Sequence, residues 1–123
     1  MSFKEALDEL QGQLEQFGIR STSLKGSTYG YDNMPYAQIS YGGASYNKAI
    51  RDFCIVIRIE YAHTKNGAKP DLIGLVQDTE AIIAAIKEAG HFRLKFVRTA
   101  EDVRGDFVTT FEVLRLPASE GGK

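Results

Sequence analysis

Cysteine occurs once and histidine twice in the 123 residues. A single Cys54 excludes an intramolecular disulfide, and its place inside an apolar, strand-like run points to burial as a small hydrophobe. His63 and His91 have no cysteine or carboxylate pattern at ligand spacing, so neither opens a metal site. Both flank secondary elements and read as surface or capping groups, His91 beside the end of a helix, where a cation is favoured. No apolar run reaches the length needed to cross a membrane. Lys4, Glu5, Asp8 and Glu9 interrupt any signal-peptide core at the start. Neither sign of charge dominates, the formal net charge being -1. That balance supplies no basic field for a polyanion and little repulsion against self-association. The glycines of Lys25-Gly26-Ser27 and Tyr41-Gly42-Gly43-Ala44 lead into no helix with a following Lys-Ser or Lys-Thr, which argues against a phosphate-binding loop. The carboxylate pairs Asp8–Glu9 and Glu101–Asp102 lack the apolar setting that raises a carboxyl pKa for acid catalysis, and read as solvated.

What is present is one domain over residues 1–117, with a frayed tail at 118–123. Ser2 and Glu5 form a capping box ahead of a stripe made by Phe3, Leu7, Leu10, Leu14 and Phe17, and Gly18 ends that helix. Residues 20–49 read as a Tyr- and Gly-rich loop containing a short strand at Tyr36–Tyr41. The clearest strand follows. Phe53, Ile55, Ile57, Ile59 and Tyr61 form its core face, and Cys54, Val56, Arg58 and Glu60 its other face. Asp71 is the expected cap of a second helix, whose buried stripe is Leu72, Leu75, Val76, Thr79, Ile82, Ile83 and Ile86, ended by Gly90. Phe92, Leu94 and Phe96 then alternate with Arg93, Lys95 and Val97. A turn spans Thr99–Gly105 and a last strand runs over 106–116. The order helix, strand, strand, helix, strand, strand predicts an α+β fold: a four-stranded, mainly antiparallel sheet with two helices on one face.

Chemistry-bearing residues do not cluster in the sequence. An enzyme would need distant groups such as His63, Asp71 and Cys54 to converge in a cleft. Arg93, Lys95, Arg98 and Arg104 gather near the third strand with Phe92 and Phe96, but the alternation puts the rings in the core, away from a base-stacking platform. The sharper signal is tyrosine. Tyr29, Tyr31, Tyr36, Tyr41 and Tyr46 supply five of the six in the chain, and tyrosine combines apolar area with a polar tip, which suits protein interfaces; the same rings would also serve as anchors packing the loop onto its own domain, or line a carbohydrate or peptide groove. Arg58 and Glu60, Arg93 and Lys95, and the hairpin charges Glu101, Asp102 and Arg104 are candidates for polar contacts at the same interface. These residues point to docking, with no catalytic, cofactor-binding or metal-binding residue.

The layout resembles the tail terminator proteins of long-tailed bacteriophages, also called tail completion or head–tail joining proteins. The resemblance is carried by the helix Phe3–Phe17, the strand Asp52-Phe53-Cys54-Ile55-Val56-Ile57-Arg58-Ile59 and the helix Asp71–Ala89. Phe92-Arg93-Leu94-Lys95-Phe96-Val97 and Val108-Thr109-Thr110-Phe111-Glu112-Val113-Leu114 close it. It implies a non-enzymatic virion protein without cofactors that forms a ring, commonly a hexamer. The ring would cap the tail tube at its head-proximal end and meet the head–tail connector, with neither membrane nor sequence-specific nucleic acid as partner. The alternative is a small protein-interaction or adaptor domain outside a virion.

Overall fold

The computed structural model describes residues 3–22, 37–48, 51–63, 71–101 and 105–116. Helix α1 spans Phe3–Gln16, strand β1 Ser21–Thr22, β2 Ala37–Asn47, β3 Asp52–Ala62, helix α2 Leu72–Ala89, β4 Phe92–Glu101 and β5 Phe107–Arg115. The sheet order is β1-β2-β3-β5-β4. The four long strands are antiparallel to their neighbours. Thus the α+β arrangement expected from the sequence is the observed one. The short β1 is an addition: it pairs parallel with β2 at Ala37 and Gln38 only. Because β5 lies between β3 and β4, the β3–α2–β4 crossover forms a split β–α–β unit.

The apolar stripes decide which face the helices cover. Ala6, Leu10 and Leu14 of α1 and Ile82, Ala85 and Ile86 of α2 join Ile39, Ile57, Ile59, Tyr61, Phe92, Phe111 and Val113 in one buried cluster. A fully buried side chain of this size contributes about 1.5–3 kcal/mol. The exit of α1 closes in full. Gly18 takes φ 75°, its amide donates to the Glu15 carbonyl at 2.9 Å, and the Ile19 amide donates to the Leu14 carbonyl at 3.0 Å. Ile19 and Leu14 both enter the core, which completes the apolar contact of a Schellman cap. Gly90 closes α2 in the same left-handed conformation. At the other end of α2, Asp71 has the extended backbone of an N-cap but makes no side-chain capping bond. The Ser2 capping box lies outside the described residues.

Both edge regions of the sheet bend. The β2–β3 register shifts between Tyr41 and Gly43, so β2 does not stop at Tyr41 as expected; it passes through a bulge and continues to Asn47. Gly43 takes φ 102°, and a Cβ on Gly42 would lie 2.9 Å from Val56 Cγ1. The two glycines that look like strand breakers are what the bulge requires. The β4–β5 register shifts between Leu94 and Phe96, and β4 runs on to Glu101, absorbing the start of the expected turn.

Candidate assembly surface

Cross-strand partners share a face of the sheet, so the register fixes what each face presents. On the helix-free face one row runs Ser40–Arg58–Glu112–Phe96 and the next Gln38–Glu60–Thr110–Arg98. The bulge at Lys95 moves Phe96 onto this face, where it is 44% exposed. The expectation that Phe96 packs in the core is therefore corrected: one extra residue inverts the alternation beyond it. Val97 turns to the helix face instead, opposite Phe111, yet stays 39% exposed because β4 is the outermost strand. Arg93, Lys95, Arg98 and Glu101 are all exposed along that strand. Arg58 pairs across the sheet with Glu112 at 3.2 Å, and Glu60 is exposed. An ion pair this wet contributes about 0–1 kcal/mol.

Tyr41 and Tyr46 are on the β2 side. Tyr41 is 59% exposed and Tyr46 52%. Tyr41 meets Phe3 edge-on at 5.1 Å and Tyr46 meets Phe53 at 5.2 Å. Phe53, expected in the core, is 62% exposed, because no described residue at its end of the β2–β3 hairpin belongs to the buried cluster. Ile55 packs against the core only in part. Val56 and Cys54 are buried on the opposite face. Burial first, then the Asp52 carboxylate, pushes the Cys54 thiol up, which disfavours the reactive thiolate.

The first two turns of α2 depart from the expected stripe. Leu72 and Val76, placed in the core by periodicity, are 70% and 51% exposed, as is Ile73 at 70%. The missing signal was the sheet: among the described residues β4 is its outermost strand, with no further strand beside it to cover them. Tyr29, Tyr31, Tyr36, Asp102 and Arg104 lie outside the described residues.

Two polar clusters were not foreseen. Glu9, which reads as solvated, binds Arg115 Nε at 3.2 Å and His91 Nδ1 at 2.9 Å. It thereby ties α1 to β5 and to the α2–β4 corner. The second cluster surrounds His63, whose side chain is 2% exposed and not on the surface as expected. Its Nε2 shares a 2.6 Å hydrogen bond with Thr109 Oγ1, which in turn bonds Thr99 Oγ1 at 2.6 Å. His63 Nδ1 has no hydrogen-bond partner. Asp78 Oδ2 stands 3.9 Å from it, too far for a hydrogen bond, so that carboxylate acts as a nearby charge. Burial lowers the His63 pKa despite the opposing pull of Asp78. Burial, aided by Asp78, pushes the Tyr61 phenol up to about 12. Cys54 lies nine positions back along β3 and on the other face, so His63 and Cys54 do not converge. Among the described residues, no group of three or more His, Cys, Asp or Glu is placed to hold a metal ion.

No family model, curated protein or solved structure matches the chain.

Proposed function

We propose that the protein is a tail terminator: a non-enzymatic virion protein that forms a ring on the head-proximal end of a phage tail tube and meets the connector. One observation carries this reading. Large apolar side chains stand exposed on both flanks of the domain, with Tyr41, Tyr46 and Phe53 on one and Leu72, Val76, Phe96 and Val97 on the other. Contiguous apolar exposure on a small protein marks a surface that meets another protein, and two such flanks allow each copy to touch two neighbours. A contact that joins one flank to the other is heterologous, and it closes into a ring when its rotation divides a circle. The absence of charge excess fits a molecule that packs against copies of itself.

Light scattering over a concentration series, with electron microscopy of the protein alone and mixed with tail tubes, tests the proposal. Closed rings, seated at one end of the tubes, are expected. A stable monomer that ignores tubes but binds some other protein would support the adaptor reading instead.

A further inference from the structure

We propose that a second copy of this chain docks by strand pairing, its β2 edge against the β4 edge of the first, so that the sheet runs on from copy to copy. The proposal deepens the ring reading and rests on it for closure.

The two edges are suited to each other in four ways. The first is direction. Strand neighbours alternate throughout the order β2-β3-β5-β4, so β2 and β4 run in opposite senses. Rotation about an axis along the strands preserves direction, and it therefore sets the β4 of one copy antiparallel to the β2 of the next. The second is accessibility of the ladder. Among the described residues, the outer edge of β2 is paired only at Ala37 and Gln38, by β1, and β4 has no outer neighbour. Such edges carry unpaired amides and carbonyls that pair with a further strand.

The third is apolar fit. Glu88 of α2 meets Gln13 of α1, which fixes the side of α2 on which α1 lies. At roughly 100° per residue, Leu72 and Val76 fall on the opposite flank, toward β4, along which α2 packs. With Val97 they form an apolar shelf beside the β4 edge. Tyr41, exposed at the β2 edge on the same sheet face and level with Leu94, is the side chain that would reach the Val97 end of that shelf in the next copy. The fourth is charge. β4 carries Arg93, Lys95 and Arg98 against Glu101 and β2 carries none, so docking sets no like charges opposite each other along the two strands. On the helix side, where Leu72 and Val76 stand, α1 of the next copy holds Glu5, Asp8 and Glu15 against Lys4, its Glu9 being bound to Arg115 and His91.

Register follows from the same geometry. A pure rotation moves no residue along its axis, so rows stay level between copies. Both bulges flank the row Tyr41–Ile57–Val113–Leu94, and the two edges therefore bend at one height. The row that ends in Phe96 continues into Ser40 of the next copy.

Cysteine pairing tests this in a Cys54→Ser background. One preparation carries Ser40→Cys and a second carries Phe96→Cys, with Ser45→Cys and Arg98→Cys as offset controls. Mild oxidation of the mixed Ser40→Cys and Phe96→Cys samples is expected to give disulfide-linked pairs at least tenfold above either sample alone or either offset combination. Light scattering of the same unoxidised samples reads assembly separately. Rings without the mixed cross-link would overturn the strand pairing while leaving the ring reading intact. Self-cross-linking within one preparation would overturn it in favour of a two-fold contact. Monomers at every concentration would overturn both. Circular dichroism of each variant, matched to the parent, confirms that a missing cross-link is not a missing fold.

Discussion

His63 shows how a polar residue becomes committed to the fold. Its ring is closed off from solvent beside Thr109 and Tyr61, where a positive charge is poorly solvated. The folded pKa therefore lies below the ordinary value of 6.5. The unfolded chain takes up a proton first as pH falls, so the contribution of His63 to stability is full above about 6.5. It is lost progressively as pH drops from there through the lower folded value. His63→Gln removes this titration. Urea unfolding at pH 7.5 and pH 5 is expected to show a smaller acid loss in the variant than in the parent, and equal losses would contradict the burial argument. Glu9 offers the converse case, a carboxylate in full use. Arg115 is 5% exposed and leans over the Phe92 ring at 5.4 Å. Glu9→Ala strips an acceptor from this guanidinium and from His91, and should cost about 1–3 kcal/mol, read from the shift in urea midpoint. Neither role was legible in the sequence. Glu9 and Arg115 are 106 positions apart, and His63 becomes buried only because the end of β3 meets Phe107 and Thr109 on the returning strand.

At the scale of elements, periodicity located the helices, strands β3, β4 and β5 and the first half of β2, and it failed where a single residue broke a strand. The alternation Phe92, Leu94, Phe96 is a correct reading of a regular strand; the bulge at Lys95 makes it wrong after Leu94. Nothing local marks that position, since no glycine stands there. The β2 bulge did leave a mark in Gly42-Gly43, but two glycines signal a loop as readily as a bulge. Gly42 separates these meanings. In a loop, alanine would be harmless; in the bulge its Cβ meets Val56 Cγ1 at 2.9 Å and the Val56 carbonyl oxygen at 3.2 Å. Gly42→Ala is expected to destabilise the fold by about 1–3 kcal/mol through overpacking. A thermal midpoint within a degree of the parent would mean that β2 is free to move away from β3. The exposed half of α2 has the same lesson from the other side. Leu72 and Val76 obey helical spacing, but spacing tells which side a residue is on and not whether a neighbour covers it.

For the whole molecule, the arrangement of layers was legible because it rests on many weak signals that agree, while the surface was not, because exposure depends on strand order. With β4 outermost, the flank of α2 has no strand beyond it among the described residues, and the proposed second copy would cover its apolar residues. Charge reversal at that flank distinguishes lost apolar area from electrostatic mismatch. The double variants Leu72→Glu/Val76→Glu and Leu72→Lys/Val76→Lys remove the same shelf, and both sites are exposed, so the isolated fold should change by no more than about 0.5 kcal/mol per site. Their effects on assembly should differ. The glutamates face the acidic α1 of the docked copy, and weakening of self-association by at least tenfold is expected, equivalent to about 1.4 kcal/mol. The lysines face the same helix with favourable sign and should lose less, with the gap between the two variants closing as salt is raised and the charges are screened. Sedimentation velocity across a concentration series at low and high salt reads this directly. Equal weakening by both pairs at low salt would show that charge does not select the partner surface, and no weakening by either would remove the α2 flank from the interface.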